Sequence, residues 1–280
     1  MTGTPRTTGA REVAAAAGSL AARISGVGRR VVLVHGFTQS SRSWRRLAAE
    51  LSADHEVVCV DLPGHGGSAS VGVASLPEAA ELLGATGGRA VYVGYSLGGR
   101  CCLTLALHQG SLVERLVLVG ATAGIEDEGE RAARRAADEA LADRLESLPD
   151  GDPAAGRSPL EPFLREWLSG PLFAHLSAEQ ADLGARLVNS GAGLAASLRS
   201  MGTGTQRPSW EELGKIEAPT LLVTGALDER FGRLAERMAT AIGPSARQVV
   251  VPGAGHAVPF EAPDAFAALL RGELTGRSRR

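Results

Sequence analysis

The chain is poor in the residues that would tie it to several common classes of protein. Its three cysteines, Cys59, Cys101 and Cys102, are an odd set with no metal-type spacing, and two of them are neighbours. That pattern excludes a disulfide-stapled scaffold and fits a reducing compartment, so a cytoplasmic location is expected. Lysine is nearly missing: Lys215 is the one lysine among 29 basic residues, and the formal charge is -2. Such a balance leaves no electrostatic footprint for nucleic acid or an anionic membrane. The arginine bias by itself reflects genome composition as readily as carboxylate recognition. The longest β-like apolar runs, "RVVLVHG" and "RAVYVGY", are far too short to span a bilayer, so no transmembrane helix is expected. Neither G-x-G-x-x-G nor G-x-x-x-x-G-K-[ST] occurs, which removes the common nucleotide fingerprints. Nothing in the pattern calls for a metal or an organic cofactor.

What is present is an alternation. At 280 residues and 44% apolar composition the chain can bury a large core. Short β-branched runs, each followed by glycine or a polar turn, fall at 30–36, 55–64, 89–96, 114–124, 218–228 and 246–256. Runs of this kind read as strands buried on both faces of a parallel sheet. Helical patterns lie between and after them at 43–52, 76–85, 97–109, 232–242 and 263–274. The expectation is an α/β fold with a mostly parallel, doubly wound sheet.

The alternation stops over residues 125–208, which look helical and are too long for a connection. They read as a helical cap inserted into a core made of residues 19–124 and 209–280. A helix over about 129–148 places Ala137, Leu141, Leu145 and Leu148 on one stripe, which Arg134 continues, so Arg134 is expected to face the body beneath the cap. The competing reading of "RAARR" is a solvated run of charge. Residues 1–18, where Glu12 interrupts an alanine-rich stretch, read as a loose, partly helical leader rather than a signal peptide.

The stretch "GYSLGGR", residues 94–100, carries the chemistry. A G-x-S-x-G between a strand and a helix is the setting of a nucleophile elbow, in which a strained turn lifts the Ser96 hydroxyl above the sheet edge. Partners in such a triad follow in the order acid, then histidine. His256, after the last strand at the end where open α/β sheets bind ligands, is the leading base; His35 and His65 precede the serine, and His55, His108 and His175 are poorly placed. Asp228 after "TLLVTG" is the leading acid, with Asp127 the alternative. An oxyanion hole needs the backbone N–H of Leu97 and a second from the loop "HGFTQS", where Phe37 is the expected donor. Arg100 is out of place, because the first turn of a helix disfavours a cation. Either it is an ordinary exposed arginine or it awaits an anionic substrate.

Taken together, "HGFTQSSRSW", "DLPGHGGSA", "GYSLGGR", "SLRSMGTGTQ" and "GALDERF…GAGHAVPFEAP" resemble one branch of the α/β-hydrolase superfamily. That branch is the 2-succinyl-6-hydroxy-2,4-cyclohexadiene-1-carboxylate synthases of menaquinone biosynthesis, and the resemblance spans roughly residues 30–272. It implies a lyase that removes pyruvate from a small tricarboxylate, with Ser96, His256 and Asp228 supplying the base. It also implies that Arg100, Arg134 and Arg186 meet carboxylates and that Tyr95 and Trp167 line the pocket. The competing reading makes Trp167 with Phe163 plain cap packing and Arg186 a surface residue. A serine hydrolase of the same fold, or a non-catalytic ligand-binding protein that keeps the triad, are the rival readings. A haloalkane dehalogenase is disfavoured, since its elbow nucleophile is aspartate.

Overall fold

The computed structural model describes residues 10–73, 75–149 and 158–275. Eight strands form one sheet: β1 (Arg11–Val13), β2 (Ala22–Ser25), β3 (Arg29–Val34), β4 (His55–Val60), β5 (Ala90–Tyr95), β6 (Val113–Val119), β7 (Thr220–Gly225) and β8 (Ala246–Val251). Their spatial order is β1-β2-β4-β3-β5-β6-β7-β8. Strands β3 to β8 pair in parallel, whereas β1 and β2 add an antiparallel edge.

The β-branched runs become strands because both of their faces are covered. Val32, Val34, Tyr92, Leu116 and Leu222 pack on α2 (Leu76–Gly87), α3 (Leu97–His108) and α8 (Glu229–Ile242). The alternate residues Val31, Leu33, Val91, Val93 and Val223 pack on α1 (Arg45–Leu51) and α10 (Pro263–Thr275). Each such side chain, removed from water, contributes about 1.5–3 kcal/mol before entropy is counted.

The leader expected over 1–18 takes a different form where it is described. Residues 11–13 form β1, three exposed residues whose backbone pairs with β2 and whose Glu12 bonds Arg23. Three exposed residues carry no hydrophobic period, so nothing in their pattern announces a strand.

Between β6 and β7 the chain builds α4 (Glu128–Glu146), α5 (Leu160–Leu168), α6 (Leu183–Arg186) and α7 (Gly191–Met201). They share a cluster of their own, with Ala142, Leu145, Leu160, Phe163, Leu164, Leu194 and Leu198 buried. The chain returns beside the point where it left: Ser209 N–H donates to Ala123 O at 2.8 Å and Trp210 Nε1 to Gly124 O at 2.9 Å. The buried stripe of α4 keeps most of the expected one and differs at its N-terminal end. Leu145 is buried and Leu141 and Leu148 are half-buried against the cap cluster, as expected, but Ala137 is exposed, and Asp138 and Ala142 are buried in its place. Asp138 can be inside because Arg134 Nε and Gly204 N–H both donate to it, at 2.8 and 3.2 Å. Among the described residues no helix is long and apolar enough to cross a membrane.

Candidate active site

Strand β5 ends at Tyr95 and α3 begins at Leu97, so the whole reversal falls on Ser96, with φ 51° and ψ -109°. A non-glycine residue held there stores strain, and the flanking glycines permit it. A Cβ on Gly94 would lie 2.4 Å from Gly98 O, and one on Gly98 would lie 2.3 Å from Val34 O. Two loops at the same sheet end complete the constellation. Asp228, just after β7, is the N-cap of α8, its Oδ1 accepting from Phe231 N–H at 3.2 Å. Its other oxygen, Oδ2, lies 2.8 Å from His256 Nδ1, and His256 Nε2 lies 3.4 Å from Ser96 Oγ.

This arrangement can do base chemistry. Burial alone would raise the Asp228 carboxyl, but the hydrogen bonds from His256 and from Phe231 N–H outweigh it and hold it below the ordinary carboxylate value. An ionised Asp228 fixes the histidine tautomer that leaves Nε2 free to take the serine proton. The His256 ring is only 3% exposed, packed between Phe231 and Tyr95 at centroid distances of 4.4 and 5.5 Å. The alternative acid, Asp127, caps α4 through Glu130 N–H at 2.7 Å.

Glu261, to which the motif reading assigned no role, clamps the loop that carries His256. Its carboxylate accepts from the N–H of Ala257 at 2.9 Å and from that of Gly255, the residues on either side. The one sequence signal was its place in "GHAVPFEAP", the motif that also contains the histidine.

A cavity of about 100 Å³ opens over the serine, lined by Ser96, His256, Phe37, Arg100, Arg134 and Trp167 among others. Leu97 also borders it. Arg100 is 7% exposed, and its Nη1 donates to Gln206 Oε1 at 3.1 Å. Among the described residues it forms no ion pair. Burial, with a smaller contribution from nearby Arg134, pushes its pKa down to about 10, so it stays charged at neutral pH. Arg134 stands at the rim with 42% of its side chain exposed, paired to Asp138. Trp167 meets Phe37 edge-on at 5.4 Å and stacks on Phe163 at 6.5 Å, while its Nε1 is buried without a partner. It therefore packs the cap and walls the cavity at once.

Tyr95 and Arg186 sit elsewhere. Tyr95, next to the serine, turns its ring behind the site against His256 and Phe260, and burial raises its phenol above the usual value. Arg186 is 2% exposed and lies outside the cavity lining; its Nε donates to Ala181 O at 2.8 Å and its Nη1 to Thr38 Oγ1. With Asn189, whose Nδ2 donates to Thr38 O at 2.8 Å, it fixes the loop after β3 in a shape that gives Thr38 a φ of 67°. Arg186 thus braces the loop that holds Phe37. No group of three or more histidine, cysteine or acidic side chains suited to a metal ion occurs among the described residues.

The model of the alpha/beta hydrolase family matches residues 31–269. The chain belongs to the alpha/beta hydrolase family. The 2-succinyl-6-hydroxy-2,4-cyclohexadiene-1-carboxylate synthase of Enterobacter sp. (strain 638) is 33% identical over 249 residues, covering 86% of this chain and 89% of its own. The synthase of the same name from Serratia proteamaculans (strain 568) is 32% identical over 252 residues, covering 87% and 92%. Among solved structures, MenH from S. aureus superposes with a TM-score of 0.80 at 27% identity, over 90% of this chain and 97% of that one. In this alpha/beta hydrolase the elbow, the two loops and the cap come from the matched region.

Proposed function

We propose that this chain eliminates pyruvate from 2-succinyl-5-enolpyruvyl-6-hydroxy-3-cyclohexene-1-carboxylate, giving 2-succinyl-6-hydroxy-2,4-cyclohexadiene-1-carboxylate in menaquinone biosynthesis. The observation that carries the reading is Arg100: a buried cation, without an ion-pair partner among the described residues, beside a serine–histidine pair. A buried charge calls for a counter-charge, and a tricarboxylate brings one with it.

In this reading His256, oriented by Asp228, takes the proton of Ser96 Oγ, and the serine oxygen abstracts the acidic ring proton of the substrate. The electron pair released forms the new ring double bond and expels the enolpyruvyl oxygen. That leaving group is protonated and becomes pyruvate, and no water is consumed. The Oγ to Nε2 separation of 3.4 Å is that of a site without substrate, and such bonds tighten when the reactant is bound. The backbone N–H groups of Phe37 and Leu97 would stabilise negative charge as it develops. A placement in the cytoplasm belongs to the same reading, supported by three free, buried cysteines.

The test is pyruvate release from freshly generated substrate, corrected for spontaneous decay, with a p-nitrophenyl ester run alongside. Ser96→Ala and His256→Ala should abolish release while the protein still melts cooperatively. Efficient ester cleavage with no pyruvate above background would place the chain with the serine hydrolases instead. Binding without turnover of either compound would make it a ligand-binding protein.

A further inference from the structure

We propose that Ser197 is a substrate-binding hydroxyl, contributed by the cap, that receives a carboxylate of the substrate; the assignment rests on the lyase reading above. Hydroxyls inside an α-helix usually donate to the carbonyl four residues earlier. Thr86, Thr104, Ser200, Thr240 and Thr275 all do so here, at 2.7 to 3.0 Å. Ser197, on α7 in the same cap as Ser200, does not. It is 2% exposed, borders the cavity over Ser96, and its Oγ has no hydrogen-bond partner. A buried hydroxyl left in that state is unfavourable, so a group that arrives in the cavity must complete it.

A second donor has the same character. Trp167 Nε1, on α5, is buried without a partner and its residue walls the same cavity. Two cap helices thus each bring an unpaired neutral donor to one space. The count of charges says what they are for. The substrate has three carboxylates, yet among the described residues the cavity presents two cations, Arg100 and Arg134, because Arg186 is tied to Thr38 outside it. Of the donors around the cavity, Ser197 Oγ and Trp167 Nε1 are the buried side-chain ones without a partner, and they are offered to the third carboxylate.

The experiment is steady-state pyruvate release by Ser197→Ala and Trp167→Phe, with product affinity and thermal midpoint measured on the same samples. For Ser197→Ala, KM should rise roughly tenfold with kcat within about twofold, the scale of one hydrogen bond to a charged group. The thermal midpoint should hold or rise, since an unpaired buried hydroxyl has been removed. Trp167→Phe, which keeps a ring and loses the N–H, should repeat the pattern. A parallel loss of product affinity assigns the retained succinyl or ring carboxylate, and a rise in KM alone assigns the departing pyruvyl carboxylate. An active wild type with Ser197→Ala unchanged in KM overturns the assignment and leaves the lyase reading intact. A midpoint lowered by several degrees also overturns it, because it reveals an internal bond. A wild type that releases no pyruvate sinks both.

Discussion

Replacing Arg100 by methionine tests whether the buried cation is held for a substrate. The side chain is 7% exposed, its one hydrogen bond among the described residues goes to the neutral Gln206, and its pKa of about 10 keeps it charged near pH 7. In the free protein that charge gains little. Exchanging it for an apolar chain of similar length relieves desolvation, while Gln206 Oε1 loses its donor. These effects oppose each other, and folding stability should change by no more than about 1 kcal/mol. With substrate bound the balance differs: a hydrogen bond between charged groups contributes about 1.5–3 kcal/mol, which is a fall in kcat/KM of about 10- to 150-fold. The assay is pyruvate release coupled to NADH oxidation by lactate dehydrogenase, with urea denaturation on the same samples. A kcat/KM within twofold of wild type would refute the role. So would a stability loss above about 3 kcal/mol, the scale expected when a structural ion pair is broken.

Further expectations concern the base and the pH range. Glu261→Ala removes the acceptor for the N–H groups of Gly255 and Ala257, so kcat should fall about tenfold or more with KM little changed; equal kcat would show that the loop holds His256 without the clamp. Glu261→Gln retains one acceptor oxygen and should fall between. Burial keeps His35 and His65 neutral in the folded protein, down to about 4 and about 3, whereas the unfolded chain protonates them from about 6.5. The unfolded state therefore binds more protons between those values, and stability should be full above pH 6.5 and decline as the pH falls toward 4. Urea midpoints measured at pH 7, 5.5 and 4.5 check this, and a flat series would contradict it.

Much of this architecture is legible in the sequence because its determinants are local. Runs such as "TLLVTG" are β-branched, uninterrupted and closed by glycine, and they become strands with both faces covered. Ser96 is legible for a similar reason, since its elbow needs small neighbours on both sides and the motif states them. The remainder depends on what the chain meets in space. Edge strand β1 consists of three exposed residues held by pairing with β2 and by the Glu12–Arg23 contact. On α4 the buried face takes in a carboxylate where Ala137 was expected, and a pattern that counts apolar positions cannot register Asp138. Arg100 and Arg186 are both buried arginines with neutral partners, and only the position of the cavity separates the one that lines it from the one that braces a loop. Glu261 and Gln206 lie within the quoted motifs, yet their roles require knowing which N–H or guanidinium stands opposite.

The carboxylate of Asp138 joins Arg134 on α4 to Gly204, two residues before the glutamine that holds Arg100. One acid thereby seats both cations, although they belong to different parts of the chain. For anyone building chimaeras the helices over the serine are not an interchangeable lid. A graft that lacked this acid, or shifted it by one residue, would bring Arg134 over the core's Arg100 and lose the spacing between the two charges.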